Sequence, residues 1–141
     1  MWTAKAVRRY FEDRLGEAGG SLSTWGVLSA LELFHWRTQH ELARALQIEG
    51  ATLTRHLDRL ESAGLVSRRR GGGDRRAIQV EATPAGREAY ERMLGAAMSA
   101  DRKIRSVLSE EELATLHELL SRIRGALEPA GEAAGDAEQI A

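Results

Sequence analysis

Residues 38–80 read TQHELARALQIEGATLTRHLDRLESAGLVSRRRGGGDRRAIQV, and the rest of the chain is organised around this stretch. Thr38-Gln39-His40-Glu41 is a capping box. Thr38 and Glu41 are spaced to satisfy the amide donors that a helix start leaves free. Leu42, Ala43 and Leu46 give the helix that follows an apolar face. Gln47-Ile48-Glu49-Gly50 turns the chain, and Ala51 to Leu60 forms a second helix with Leu53, Leu57 and Leu60 at helical spacing. Gly64 is placed as its C-terminal cap. Leu65-Val66 opens a strand, Arg68 to Arg76 makes a cationic tip rich in glycine, and Ile78-Gln79-Val80-Glu81 alternates as the returning strand. The order is a helix-turn-helix followed by a β-hairpin wing.

This pattern resembles the MarR-type transcriptional regulators, including their SlyA-like branch. The resemblance rests on Ile48-Glu49-Gly50-Ala51-Thr52-Leu53-Thr54-Arg55, Leu57-Asp58-Arg59-Leu60-Glu61, Gly64-Leu65-Val66 and Asp74-Arg75-Arg76, in family order and spacing. Thr83-Pro84-Ala85-Gly86 follows where the next helix should open. Asp74-Arg75-Arg76 alone is a weak signal, but the set is specific, and a weaker likeness extends over nearly the whole chain.

The length of 141 residues predicts one domain. We expect it over 1–128, with the winged helix-turn-helix at about 24–82, helices at about 2–18 and 84–128 available for dimerisation, and a flexible tail at 129–141. The fold class is mainly α, with the α+β character of a winged helix. The formal net charge is −1, yet the charge is unevenly placed. From Arg37 to Arg76 there are nine arginines and five acids, a net of +4, and the remainder carries −5. A basic segment on an otherwise acidic chain is an electrostatic footprint for nucleic acid, although a charged face can also be plain solvated surface.

Cysteine is absent, which excludes disulfides, thiolate metal sites and cysteine redox sensing. The peroxide-sensing thiol of some MarR relatives therefore has no counterpart. No apolar run approaches the roughly 20 residues of a membrane span, and no signal peptide is apparent, so the expected location is cytoplasmic. His35, His40, His56 and His117 share no ligand spacing. Gly71-Gly72-Gly73 lacks the lysine and hydroxyl residue of a phosphate loop. No nucleophile elbow or dinucleotide fingerprint is present. We expect no enzyme, metal or cofactor.

The flanking helices follow from periodicity. Trp2 to Ala18 carries Ala6, Tyr10, Phe11 and Leu15 on one side, and Gly16, Gly19 and Gly20 break it. Ser23 is placed to cap a helix from Thr24 to about Leu33 bearing Trp25, Val27, Leu28 and Leu31. Phe34-His35-Trp36-Arg37 is an aromatic connection. Thr83 caps a long helix with Pro84 in its first position, running to about Val107, on which Tyr90, Leu94, Ala97, Ile104 and Leu108 form an apolar stripe interrupted by Asp101. Ser109-Glu110-Glu111-Glu112 is a second capping box. Beyond it Leu113, Leu116, Leu120, Ile123 and Leu127 repeat at steps of three and four, supplemented by Leu119. Such a seam must be buried somewhere, within the chain or in a two-fold dimer. The resemblance implies a homodimer in which the first and last two helices interlock.

Double-stranded DNA is the expected partner. Ala51, Thr52, Thr54 and Arg55 project from the start of the second helix, where small residues permit close approach and arginine can bond a guanine edge through two donors. Thr38 and Gln39 stand at a helix start that favours a phosphate, though Thr38 serves equally as a cap. Arg68, Arg69 and Arg76 are candidates for phosphate contact or wing packing. By resemblance, Arg75 enters the minor groove and the Asp74 carboxylate orients neighbouring arginine. The resemblance also implies an aromatic or amphipathic effector between the winged region and the dimer helices. Tyr10, Phe11, Trp25, His35 and Trp36 are candidates for its wall, or core residues. The functional expectation is an effector-responsive repressor on a pseudo-palindromic operator. The alternative is a winged-helix interaction module that binds no DNA, which would have no use for Arg55 and an arginine-rich wing together.

Overall fold

Missing backbone partners at helix ends explain where this chain turns. In the computed structural model, which describes residues 2–34, 38–70 and 77–127, the described elements are α1 (Trp2–Glu17), α2 (Leu22–Leu33), α3 (Gln39–Ala45), α4 (Gly50–Ser62), β1 (Val66–Arg70), β2 (Ile78–Ala82), α5 (Pro84–Arg105) and α6 (Glu110–Leu127). The capping box at α3 is complete: the Glu41 amide donates to Thr38 Oγ1 at 3.2 Å, and the Thr38 amide donates to Glu41 Oε2 at 2.9 Å. Ser109 and Glu112 repeat it at α6, at 3.2 and 2.7 Å. These bonds from Ser109 hold the Glu112 carboxyl below its ordinary value of 4.5.

Three helices close in the same way. At α1, α3 and α4 the residue after the cap adopts positive φ, and two amides reach back to orphan carbonyls, the arrangement of a Schellman motif. Gly19 (φ 81) and Gly64 (φ 72) do this without a Cβ penalty. Gln47 (φ 50) does it with one, in the turn between α3 and α4. There the Gln47 amide donates to Arg44 O and the Ile48 amide to Ala43 O, both at 3.1 Å.

Some boundaries differ from those read in the sequence. Ser21, not Ser23, caps α2: the chain is still extended at Ser21 (φ −148), whose Oγ accepts from the Thr24 amide at 3.2 Å. Helix α4 begins at Gly50, one residue early, with Glu49 as a cap that makes no side-chain bond. Helix α5 ends at Arg105 rather than near Val107. On α1 only Leu15 is buried; Phe11 is half-buried, while Ala6 and Tyr10 are exposed.

Strands β1 and β2 pair antiparallel, with Val66 opposite Ala82, Arg68 opposite Val80 and Arg70 opposite Ile78. Thr38 forms an isolated bridge with Gln79, so the start of α3 is joined to the hairpin, a link not anticipated from the sequence. Leu15, Val27, Leu28, Leu31, Leu42, Leu53, Leu57, Val80 and Met93 are essentially inaccessible and form one cluster with Leu60, Val66, Ala89 and Tyr90. Burial of this kind contributes about 1.5–3 kcal/mol for each large aliphatic side chain.

The Thr83-Pro84-Ala85-Gly86 motif has a packing explanation. Thr83 Oγ1 donates to Gly64 O at 2.6 Å and accepts from the Gly86 amide at 3.0 Å, while the Thr83 amide donates to Leu65 O. The start of α5 is thereby stitched to the chain entering β1. A Cβ on Gly86 would stand 2.0 Å from Leu65 O, so only glycine fits.

The chain divides into two units, Met1–Ala100 and Asp101–Ala141. The first holds the winged helix-turn-helix and its core. In the second, α6 has no buried residue, and Leu116, Leu119, Leu120, Ile123 and Leu127 are all exposed. Among the described residues, no helix is long and apolar enough to cross a membrane.

Candidate nucleic-acid interface

Helix α4 turns Leu53, Leu57 and Leu60 into the core. Helical spacing then places Ala51, Thr54, Arg55 and Asp58 along the opposite side. Ala51 and Arg55 are exposed, and Thr52 and Thr54 are half-buried. Arg55 Nη2 lies 3.4 Å from Thr52 Oγ1, a long contact that leaves the guanidinium extended over the N-terminal turn.

Thr54, expected to project from α4, and Gln39, expected at a helix start that favours a phosphate, are engaged inside the protein. Gln39 Nε2 donates to Thr54 Oγ1 at 2.7 Å, and Thr54 Oγ1 donates to Gly50 O at 2.9 Å. Gln39 therefore reaches across to α4, although it stands at the start of α3. Thr38 uses its hydroxyl in the capping box and its backbone in the bridge to Gln79.

Arg68 shows why two acids can sit on α4 beside a basic wing. Its Nη2 donates to Asp58 Oδ1 and to Glu61 Oε2, each at 2.6 Å, its Nε to Glu61 Oε2 at 3.0 Å, and its amide to Glu61 Oε1 at 3.2 Å. The side chain is only 20% exposed. Of phosphate contact and wing packing, the geometry gives Arg68 the second: it clamps β1 against α4 and offsets both carboxylates. The Arg68 side-chain bond holds the Glu61 carboxyl below its usual range, and the Glu61 bond raises the Arg68 guanidinium. Arg69 is exposed and pairs across the hairpin with Glu81 at 2.5 Å, and Arg70 is exposed at the end of β1. Asp74, Arg75 and Arg76 lie outside the described residues.

The aromatic candidates resolve differently. Phe11 of α1 meets Trp25 of α2 edge-on, with centroids 6.4 Å apart at 77°. Trp25 stacks on Tyr90 of α5, at 5.5 Å and 11°. Tyr90, which sequence reasoning assigned only to a helix stripe, thus completes a three-ring column. No motif announces it; only its place in the apolar stripe of α5 hinted at burial. Burial and, secondarily, Glu32 raise its phenol. Tyr10 is exposed and stands outside the column, and His35 and Trp36 lie outside the described residues.

A profile described as MarR family matches residues 19–77, which span α2, the helix-turn-helix and β1 and stop before β2. The HTH-type transcriptional regulator PecS of Dickeya dadantii (strain 3937) is 39% identical over 83 residues, 59% of this chain but 50% of PecS, so the match spans about half the length of that relative. A mutant MarR from E. coli complexed with operator DNA superposes with a TM-score of 0.77 at 26% identity, covering 85% of this chain and 86% of MarR. NadR in complex with 4-hydroxyphenylacetate superposes at 0.69 and 27% identity, with 86% of each chain covered.

Proposed function

We propose that this chain is a MarR-type winged-helix protein and a cytoplasmic, DNA-binding transcriptional regulator, a reading supported by the profile match over residues 19–77. In this reading it acts as a homodimer on a pseudo-palindromic operator and as a repressor released by an aromatic effector. The observation that carries the reading is the exposed N-terminal face of α4, with Ala51 and Arg55 outward and the wing clamped to the same helix by Arg68. Backbone phosphates give such proteins affinity and register, and base edges give sequence choice. Arg55 is the base-edge candidate on α4. The exposed Arg69 and Arg70, with Arg75 and Arg76 beyond them, are the phosphate and minor-groove candidates. Arg68 positions the wing.

The operator complex of MarR supports DNA as the partner, and the ligand of NadR supports a small aromatic acid as effector. The Phe11–Trp25–Tyr90 column joins α1, α2 and α5, so a ligand that reorders it would act on the winged region and the terminal helices together. Such a ligand releases DNA only if it prefers a conformation that binds DNA poorly.

One titration tests these assignments. Fluorescence anisotropy on labelled duplex should show affinity falling steeply with salt. Arg68→Ala should bind on the order of tenfold more weakly, because it uncovers two carboxylates and frees the wing, while the salt slope stays that of wild type. A slope lower by about one would make Arg68 a phosphate contact instead. Aromatic acids added to the complex should release the duplex; a panel that neither raises the thermal midpoint nor displaces DNA removes the effector from the reading.

A further inference from the structure

Thr54 carries chemistry that its position on α4 does not reveal by itself. A threonine hydroxyl has one proton to donate. Here that proton goes to Gly50 O at 2.9 Å, and the same oxygen accepts from Gln39 Nε2 at 2.7 Å. Reversing the Gln39 amide does not free the proton: it would then be shared between Gln39 Oε1 and Gly50 O, both inside the protein. The hydroxyl therefore has nothing to donate to the acceptors on a base edge, namely thymine O4, guanine O6 or a purine N7. Its oxygen is turned back toward the preceding helical turn and toward α3. What remains for an outside partner is one lone pair and the methyl group of a residue that helical spacing places on the side of Ala51 and Arg55. Ala51 adds a second methyl three residues away on the same exposed face.

We infer that Thr54 reads a thymine through its methyl group, held in that attitude by Gln39. The inference rests on the reading that α4 enters a major groove, and it names the chemistry of one position there: apolar recognition of a 5-methylpyrimidine. Gln39 is a positioning residue. It touches no base, and its amide fixes which face of Thr54 points outward. A free threonine could serve as donor, acceptor or apolar surface; the bond to Gly50 O takes its proton, the Gln39 bond takes one lone pair, and the apolar role is left dominant.

The test uses the full-length protein and an operator duplex recovered by selection. Thymines are replaced by deoxyuridine one symmetric pair at a time, which removes the methyl and keeps every hydrogen-bonding group. One pair should cost about fourfold per half-site, on the order of fifteenfold for the dimer, as expected for burying one methyl group. Thr54→Ser keeps both hydrogen bonds and lacks the methyl. It should weaken binding to the thymine operator by a similar factor and no longer distinguish thymine from deoxyuridine at that pair. Thr54→Val has a methyl at both branch positions of Cβ, so one stands in place without the Gln39 bond, and the variant should retain the discrimination even if its overall affinity falls. Gln39→Ala should lower the discrimination ratio towards one, which a purely structural role for Gln39 would not do. The inference is overturned if no deoxyuridine pair matters, if Thr54→Ser discriminates as wild type does, or if Thr54→Val loses the discrimination. Failure to recover any duplex would instead overturn the DNA-binding reading itself.

Discussion

Gly86→Ala is expected to destabilise the fold by about 3 kcal/mol, at the upper end of ordinary overpacking. The added Cβ would stand 2.0 Å from Leu65 O, and neither side can yield cheaply. The obstructing atom is backbone, fixed because Leu65 O accepts from the Thr83 amide and the Leu65 amide closes α4 onto Leu60 O. The helix cannot shift without losing the bonds of Thr83 Oγ1 to Gly64 O and from the Gly86 amide. Gly95, in the same helix, has open space at its Cβ, so Gly95→Ala should be neutral or stabilising by up to about 1 kcal/mol. Urea unfolding of the two variants separates steric fit from helix propensity. Equal midpoints would show that the start of α5 is not seated as described.

Leu116→Glu combined with Leu120→Glu is expected to break the proposed homodimer. Both side chains stand on α6, 43% and 55% exposed, in a seam with Ile123 and Leu127. Each substitution occurs twice across a two-fold interface. With roughly half of each leucine left to bury at about 1.5 kcal/mol for a full side chain, the loss is roughly 3 kcal/mol. That is on the order of a hundredfold in dimer dissociation. Sedimentation velocity would register monomer at micromolar concentration, while far-ultraviolet circular dichroism should retain the helix signal of the first unit. DNA affinity should fall with the dimer, because one subunit can hold only one half-site. A double variant that remains dimeric would place the interface elsewhere.

The helix-turn-helix was legible because its determinants are local. Capping boxes at Thr38 and Ser109, Gly64 as a C-terminal closure and the leucine spacing of α4 are short-range patterns, and the structure bears them out. The family resemblance stands as well. The misplacement of the α2 cap has a local cause too, since the run Gly19-Gly20-Ser21-Leu22-Ser23 offers two serines and only backbone conformation chooses between them. What the sequence left open is long-range pairing. Arg68 lies ten residues from Asp58, Gln39 fifteen from Thr54, and Trp25 sixty-five from Tyr90, and no periodicity links such partners. Three arginines in a row at 68–70 look alike in sequence, yet opposite carboxylates give them different work: Arg68 is held by α4, Arg69 by Glu81, and Arg70 is exposed at the end of the strand. Likewise Gln39 and Thr54 read as a surface amide and a surface hydroxyl until their partners are known.

The central claim is that two copies of α4 read a duplex together. Selection of bound fragments from a random DNA pool, followed by sequencing, tests it most directly. The expected result is enrichment of a pseudo-palindrome whose half-site centres lie about 10–10.5 base pairs apart, one helical turn. The same selection with Arg55→Ala should recover that spacing with relaxed preference at one symmetric pair of positions, at about 1–3 kcal/mol per half-site. A pool that emerges with the composition it had at the start would contradict the account.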